Sequence, residues 1–160
     1  MSKKDLLREK IQHLDLDSFD PTSLVEGMEK MAFQARNTAR AAKIYERMLR
    51  DEQCSIILCL AGSLVSAGLK KVLLQMVEHN MVDAIVSTGA NIVDQDFFEG
   101  LGFSHYIGTP FIDDNALREQ SIDRIYDTYI DEDELRICDE TMTDIFHALE
   151  PRPHSSREII

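Results

Sequence analysis

Two strand-like runs, each followed by a loop of small residues, constrain this fold most. "SIILCL" (55–60) leads into "AGSLVSAG" (61–68), and "MVDAIV" (81–86) leads into "STGAN" (87–91). Both runs are short and largely apolar, as expected of strands covered on both faces. "LVSAGLKKVLLQMVEHN" (64–80), between them, has the apolar spacing of a helix. This order predicts an α/β fold with a parallel sheet, in which the two strands are neighbours.

Helical patterns surround this core. Residues 15–52 carry the longest one, with a cap at Asp20–Pro21 and a capping box of Ser23 and Glu26. "IVDQDFFEGLG" (92–102) predicts a short helix that stops at Gly100 or Gly102. Residues 131–150 predict a helix with acidic residues at its start, as the helix dipole favours. The stretch from 103 to 131 predicts a proline turn, a short acidic helix and one strand.

The last ten residues, "PRPHSSREII", predict the start of a further helix. Ser155 and Glu158 form a capping-box pattern ahead of Ile159 and Ile160. A helix of one turn is not stable by itself. We therefore expect the chain to be the N-terminal part of a longer enzyme, with a frayed tail as the alternative.

Composition excludes several classes of partner. The formal net charge of −12 over 160 residues argues against nucleic acid and anionic membranes, which require a basic face. No apolar stretch approaches the roughly 18 residues of a membrane span, and the charged N-terminus is unlike a signal peptide. Three cysteines without metal-binding spacing indicate reduced thiols, with Cys54 and Cys59 in the core. The prediction is a cytoplasmic protein.

The two small-residue loops are the candidate ligand site. In an open parallel sheet, ligands bind beyond the carboxyl ends of the strands, where exposed N–H groups at helix starts suit a phosphate. Ser63, Ser66 and Thr88 add hydroxyls for phosphate or ribose oxygens. Neither loop is a GxGxxG or Walker motif. The alternative is that Gly62 and Gly89 only permit tight turns.

Acidic residues follow the second loop. Asp94, Asp96 and Glu99 suit an amine ligand if they face the same cleft, and they need no function if they form a solvated helix face. The pair 113–114 and the run 131–134 are interpreted as helix caps. The histidines show no metal-ligand spacing, so no metal is predicted. No catalytic nucleophile can be assigned from pattern alone.

Four segments resemble the N-terminal half of deoxyhypusine synthase and its archaeal and bacterial relatives. They are "FQARNTARAAKIYERML", "AGSLVSAGLKKVLLQMVEHNMVDAIVSTGAN", "EGLGFSHYIGT" and "LREQSIDRIYDTYI". The resemblance runs from about Pro21 to Leu149. It suggests an N-terminal helical extension over 1–20 and, over 21–160, the N-terminal portion of an NAD-binding domain with a Rossmann-like parallel sheet flanked by helices.

The resemblance implies an activity and a set of site residues. In this family NAD oxidises spermidine, and the aminobutyl group passes through a lysine imine on the enzyme to a lysine of a translation factor. It implies NAD contacts from Gly62, Ser63, Leu64, Val65, Ser66, Thr88, Gly89, Ala90 and Asn91. A polyamine-holding position falls at Asp94 or Gln95, because "NIVDQDF" carries one extra residue. The family also implies a homotetramer.

The sequence departs from the family in ways that leave the function open. Eukaryotic members have asparagine where Ser63 stands and Gly-Gly where Ala90 and Asn91 stand. No lysine matches the imine-forming motif, and Lys70 and Lys71 are interpreted as a solvated helix face. We therefore expect an inactive portion, with a protein lysine or a small amine as the acceptor of the complete enzyme. The alternatives are a non-catalytic nucleotide-binding or subunit protein and a phosphate-binding regulatory domain.

Overall fold

A computed structural model describes residues 2–18 and 20–159 and shows a mixed α/β architecture. Its helices are α1 (Lys3–Leu6), α2 (Thr22–Met28), α3 (Phe33–Arg50), α4 (Lys70–Glu78), α5 (Asp96–Gly100), α6 (Asp114–Arg118), α7 (Glu132–Ala148) and α8 (Ser156–Ile159). Its strands are β1 (Ile57–Leu60), β2 (Ala84–Ser87), β3 (Tyr106–Ile107), β4 (Ile122–Ile125) and β5 (Thr128–Asp131). Single π-helical turns, Val65–Leu69 and Ala90–Gln95, lead into α4 and α5.

The described residues fall into two compact units. Residues 2–12, 61–70 and 87–159 form one, called here the loop unit because it holds both small-residue loops. Residues 13–18, 20–60 and 71–86 form the other, the strand-pair unit. The predicted boundary between residues 20 and 21 stays a prediction.

Strands β1 and β2 are hydrogen-bonded neighbours in a small parallel sheet, which confirms the predicted pairing. The Asp83 carboxylate accepts the Ile56 N–H at 2.7 Å, and the Asp83 N–H donates to the Ile56 carbonyl at 2.9 Å. The expected burial of both faces is wrong, since Ile57 and Val86 are 61% and 59% exposed. A two-stranded sheet leaves both strands at an edge. The wider Rossmann-like sheet remains a prediction.

The long N-terminal helical pattern is two helices, not one. Helix α2 ends at Met28 and α3 begins at Phe33, whose φ of 53° interrupts the right-handed spiral. Lys43 on α3 contacts the Glu29 carboxylate at 2.6 Å across this break. The apolar spacing runs through the break, and for that reason sequence periodicity could not reveal it. The Ser23 box does not form either, because Asp20 accepts the Thr22 N–H at 2.8 Å instead.

The second sheet was not expected. β3, β5 and β4 form a three-stranded antiparallel sheet in that order, where the sequence indicated one strand. Four residue pairs join β4 to β5 from Ile122↔Asp131 to Ile125↔Thr128. In β4 two adjacent charged residues lie between Ile122 and Ile125, and Asp127 with the exposed Tyr126 forms the turn. Because half of β4 is charged, its sequence lacks the apolar pattern by which a strand is recognised.

Two apolar clusters hold the loop unit together. Leu6, Leu117, Ile122 and Tyr129 form one of them. Phe98, Ile130 and Cys138 form the other, in which the Phe98 ring lies 5.2 Å from Phe103 and from His105 between ring centroids. These clusters fix α5, α6 and α7 against the antiparallel sheet. That sheet is the platform beside which the two loops lie.

Several smaller expectations have clear outcomes. α5 stops at Gly100 as predicted, and the three cysteines are free thiols, although Cys59 is exposed and not in the core. Ser155 and Glu158 interact at the start of α8, with the Ser155 N–H donating at 2.9 Å; Ile160 lies outside the described residues. Among the described helices, none combines the length and apolarity that crossing a bilayer requires.

Candidate functional site

Asn91 joins the two loops. Its side-chain oxygen accepts the Leu64 N–H at 2.9 Å, and its amide nitrogen donates to the Ala61 carbonyl at 2.7 Å and to Ser87 Oγ at 3.2 Å. The residue is only 2% exposed. Buried amides contribute most when all their partners are satisfied. Asn91 therefore acts as a clamp that fixes the first loop against the second.

Gln95 forms a second clamp one helical turn later. Its side-chain oxygen accepts the buried Ser66 N–H at 3.1 Å, and its amide nitrogen donates to Ser63 Oγ at 3.3 Å. The Ser66 hydroxyl donates to the Ser63 carbonyl at 3.0 Å. Two of the loop N–H groups expected to face a phosphate, those of Leu64 and Ser66, are thus bonded to side chains.

The backbone of the first loop has a positive φ at Ser63 and at Gly68, but not at Gly62. Ser63 has φ of 77°, a left-handed conformation that costs a non-glycine residue energy and concentrates at functional sites. Gly89 has an ordinary φ of −55°, and positive φ among the described glycines occurs at Gly68 and Gly102. The tight-turn explanation of Gly89 through positive φ is therefore wrong.

Gly62 of the first loop lies against small side chains of the second loop. A Cβ placed there would lie 3.5 Å from Thr88 Oγ1 and 3.7 Å from Ala90 Cβ. The hydroxyls of Ser63 and Thr88 are the side-chain groups of the two loops that suit the phosphate and ribose oxygens of a nucleotide.

An acidic cavity of about 500 Å³ opens beside this loop pair, within the loop unit. Its wall includes Ser63, Ala90, Asp94, Gln95, Phe98, His105, Asp123, Arg124, Ile125, Ile130, Leu135 and Asp139. Three of these are carboxylates, and the Arg124 guanidinium is bound to Asp114 at 2.8 Å. The net charge of the wall therefore favours a cationic ligand over an anionic one.

Asp94 is a carboxylate of the cavity wall whose pKa is shifted by its surroundings. Burial, together with the neighbouring negative charge of Asp139, raises the pKa of the Asp94 carboxyl above its ordinary value. No hydrogen bond or ion pair reaches its carboxylate from the described residues. A cation at that position would relieve the repulsion between Asp94 and Asp139. Of the two predicted polyamine positions, Asp94 faces the cavity with a free carboxylate, whereas Gln95 is occupied by the first loop.

A buried histidine forms part of the cavity wall. His105 is 2% exposed, and its Nδ1 lies 2.8 Å from Glu99 Oε1. Lys70 Nζ lies 3.6 Å from Glu99 Oε2 and 3.4 Å from Asp96 Oδ1. The predicted solvated face is thus wrong for Lys70, which is 28% exposed, and correct for Lys71, which is 52% exposed and pairs with Asp15 at 2.9 Å.

The two loops that supply residues 62–66 and 88–91 are adjacent, as the strand order implied. Asp113 and Asp131 cap α6 and α7, which confirms that interpretation. Sequence reasoning missed Asp123, Asp139 and His105, because the folding of β4 and α7 brings them together and no motif marks them. Among the described residues, no cluster of three or more His, Cys, Asp or Glu side chains could hold a metal ion.

The fold and site define a mixed α/β protein with a nucleotide-compatible loop pair beside an acidic cavity. A sequence model described as deoxyhypusine synthase matches residues 23–160. That match covers most of the chain. The chain belongs to the deoxyhypusine synthase family, which confirms the resemblance found in the sequence.

Individual relatives are similar along nearly the whole chain. A deoxyhypusine synthase-like protein of Chlorobaculum parvum is 61% identical over 160 residues, which is all of this chain and 46% of the relative. One of Elusimicrobium minutum is 58% identical over 163 residues, covering 99% of this chain and 44% of the relative. A probable deoxyhypusine synthase 2 of Methanosarcina acetivorans is 34% identical over 147 residues, covering 92% and 42%. The chain spans less than half the length of these relatives.

Proposed function

We propose that this chain is part of an NAD-dependent transferase that moves the aminobutyl group of spermidine, and that it contributes residues of the NAD-binding site. The observation that carries the proposal is the clamped loop pair in a chain of the deoxyhypusine synthase family. Gly62–Ser66 and Thr88–Asn91 would hold NAD. Bound NAD would supply the hydride acceptor for oxidation of the polyamine carbon.

The chain's own groups have separate roles in this proposal. The hydroxyls of Ser63 and Thr88 bind phosphate or ribose oxygens, and Gly62, which has no side chain, lets the dinucleotide approach the loop backbone. Asn91 and Gln95 do not contact the cofactor through their side chains, because these already bond the first loop. They hold the loop in its binding geometry, so that little ordering is needed when the ligand arrives.

The acidic cavity is the proposed polyamine site. Asp94, Asp123 and Asp139 present carboxylates around it, and ammonium groups of spermidine are the complementary charge. Ion pairing positions a polyamine, but the transfer also needs a lysine amine that can form an imine. None of the described lysines lines this cavity. We therefore propose that the imine-forming lysine comes from outside this chain and that the isolated chain is inactive.

The wider setting of the reaction follows from the family. A lysine of a translation factor or a small amine is the proposed acceptor, the enzyme is proposed to be cytoplasmic, and a homotetramer is the proposed assembly. Light scattering over a range of concentrations tests the assembly by itself. A monomer at high concentration would contradict the tetramer and leave the cofactor site standing.

Calorimetric titration of NAD tests the cofactor site. Gly89→Leu places a bulky side chain at the start of the second loop, where φ is −55° and a Cβ meets Val93 Cγ2 at an ordinary 3.8 Å, so the variant is expected to fold. We expect the variant to bind NAD at least about tenfold more weakly, because the side chain obstructs the pyrophosphate. Gly27→Leu on α2, where a Cβ meets nothing within 4 Å, is the matched control. Equal affinity of the two variants for NAD would show that NAD does not bind at Gly89.

A non-catalytic role is the second candidate, and it is favoured by the cavity wall, which contains none of the described lysines. In that case the chain binds a nucleotide or pairs with a longer partner without chemistry. NAD binding without spermidine binding supports this candidate. Calorimetry of spermidine with the wild type and Asp94→Asn distinguishes the two, because the transferase proposal requires that the substitution weaken spermidine binding.

A further inference from the structure

The first residues of the chain pack into the loop unit, although they lie outside the family match, which begins at residue 23. We call residues 2–12 the N-terminal arm. Leu6 is 7% exposed and sits in an apolar cluster with Leu117, Ile122 and Tyr129. The arm is thus part of the core that carries the candidate site, not an appendage to it.

The arm extends the antiparallel sheet next to the cavity. The Ile107 N–H donates to the Glu9 carbonyl at 2.7 Å, and the Ile11 N–H donates to the His105 carbonyl at 2.8 Å. Lys10 pairs with Tyr106 between these two bonds in an antiparallel bridge. The arm therefore covers the open edge of β3 and fixes the backbone of His105, whose ring lines the cavity.

The arm also contacts the first loop, at Gly68. A Cβ at Gly68 would lie 2.9 Å from the Gln12 carbonyl oxygen and 3.4 Å from Ile11 Cγ2. Gly68 has φ of 88°, so both its conformation and its close contact require glycine. The end of the arm thus lies directly against the turn that carries Ser66 and leads into α4.

A charged anchor holds the other end of the arm. Lys3 Nζ donates to Asp131 at 2.7 Å and to Asp133 at 3.0 Å, and the same Asp131 oxygen accepts the Asp133 N–H and caps α7. Ser2 caps α1 by accepting the Asp5 N–H. Burial opposes the charge on Lys3, but the bonds to both aspartates outweigh it and raise the pKa of Lys3.

We propose that the N-terminal arm is a positioning segment that holds the first loop and His105 in their binding geometry. The geometry supports this role because one short segment contacts α7 at one end, the β3 edge in its middle and Gly68 at its far end. The consequence for ligand affinity rests on the NAD site proposed above. The effect of the N-terminal arm on the order of the first loop does not depend on NAD binding.

The first test compares two glycines that share a positive φ. Gly68→Ala forces a Cβ against the arm backbone, whereas Gly102→Ala, at φ of 97°, meets nothing within 4 Å and reports strain alone. We expect Gly68→Ala to raise hydrogen exchange at the Ile11 and Ile107 amides about threefold to tenfold beyond any change in Gly102→Ala. NAD affinity should fall by a similar factor in Gly68→Ala and not in Gly102→Ala.

The second test loosens the arm at its distant anchor and so remains informative if Gly68→Ala does not fold. Lys3→Ala removes both bonds to α7, Lys3→Arg keeps a donor there, and Lys4→Ala removes an exposed neighbouring charge. We expect Lys3→Ala to raise exchange of the Ser66 amide about threefold to tenfold. Lys3→Arg should restore much of the protection, and Lys4→Ala should not change it.

The outcomes separate this inference from the function. Faster exchange at Ser66 in Lys3→Ala but not in Lys4→Ala supports the positioning role, whether or not the wild type binds NAD. Wild-type exchange at Ser66 in Lys3→Ala, with faster exchange confined to the arm, would overturn it. Failure of the wild type to bind NAD, with the exchange pattern as expected, would remove the proposed function and leave the positioning role in place.

Discussion

Asn91 shows how one buried side chain can decide the geometry of a site. Its amide satisfies a donor on Leu64 and an acceptor on Ala61 at once, and both belong to a loop that lies nearly thirty residues earlier in the chain. A side chain of similar size without both functions cannot do this. The residue therefore fixes the loop pair at the level of individual hydrogen bonds.

Asn91→Ala should destabilise the protein by roughly 1–3 kcal/mol, because it removes the hydrogen bonds that this buried amide makes to the Leu64 N–H and the Ala61 carbonyl. Urea unfolding followed by circular dichroism measures the change. Asn37→Ala, on an exposed position of α3, is the control and should change the free energy of unfolding by less than about 0.5 kcal/mol. A loss in Asn91→Ala no larger than in the control would show that the clamp contributes little.

Asp94 gives a prediction about pH. Its folded pKa lies above the ordinary 3.8, because burial and then Asp139 disfavour the charged form. Its ionisation therefore lowers stability; the cost is absent below 3.8 and complete once the pH exceeds the folded pKa. Asp94→Asn should raise the free energy of unfolding near neutral pH, and the gain should disappear as the pH falls toward 3.8.

Asp20 is the opposite case, because its pKa is lowered in the folded protein. Hydrogen bonds from the Thr22 hydroxyl and N–H lower the pKa of Asp20, so its ionised form stabilises the folded state above the unfolded pKa. Asp20→Asn should lower stability near neutral pH, and this loss should fade on acidification. Unfolding curves at several pH values measure both variants. Parallel pH profiles for wild type and Asp94→Asn would contradict the assignment for Asp94.

At the scale of elements, the end of β3 packs so closely on β5 that Gly108 cannot carry a side chain without a shift of its neighbours. A Cβ at Gly108 would lie 2.5 Å from the Tyr129 ring, which is 2% exposed. The Tyr129 hydroxyl is held by the Thr109 N–H at 3.1 Å, so the ring cannot move aside freely. Glycine is needed at this position for close approach and not for a special backbone conformation.

Gly108→Ala should therefore cost about 1–3 kcal/mol of stability, the usual range for overpacking a well-filled core. Thermal unfolding by calorimetry is the measurement. Gly100→Ala, at the end of α5 with nothing within 4 Å of the added methyl, should be neutral or stabilising, because alanine favours helix. If both variants unfold at the wild-type temperature, Tyr129 has more freedom than its contacts indicate.

At the scale of the whole molecule, the chain by itself should not transfer an aminobutyl group. It offers carboxylates that can pair with ammonium groups, and its described lysines lie outside the cavity. Incubation with NAD and labelled spermidine, followed by borohydride trapping and mass spectrometry, should give no labelled lysine. A labelled adduct with NAD reduced in step would contradict this expectation and direct mutagenesis to Lys70 and Lys71.

Much of the local structure was predictable from the sequence because its signals are local. Apolar runs bounded by small residues gave β1 and β2, and acidic caps gave the starts of α6 and α7. The antiparallel sheet was largely missed, because the two central residues of β4 are both charged and the two-residue strand β3 carries almost no signal. The break before α3 was missed because the apolar period continues through it.

The sequence by itself determined the family and the position of the two loops, since short motifs and strand-loop patterns are properties of consecutive residues. Only the tertiary structure decided that Asn91 and Gln95 bond the first loop, that Asp94, Asp123 and Asp139 share a cavity, and that Gln12 lies against Gly68. These contacts join residues far apart in the chain. Their geometry depends on how complete elements pack, and packing leaves no periodic trace in one sequence.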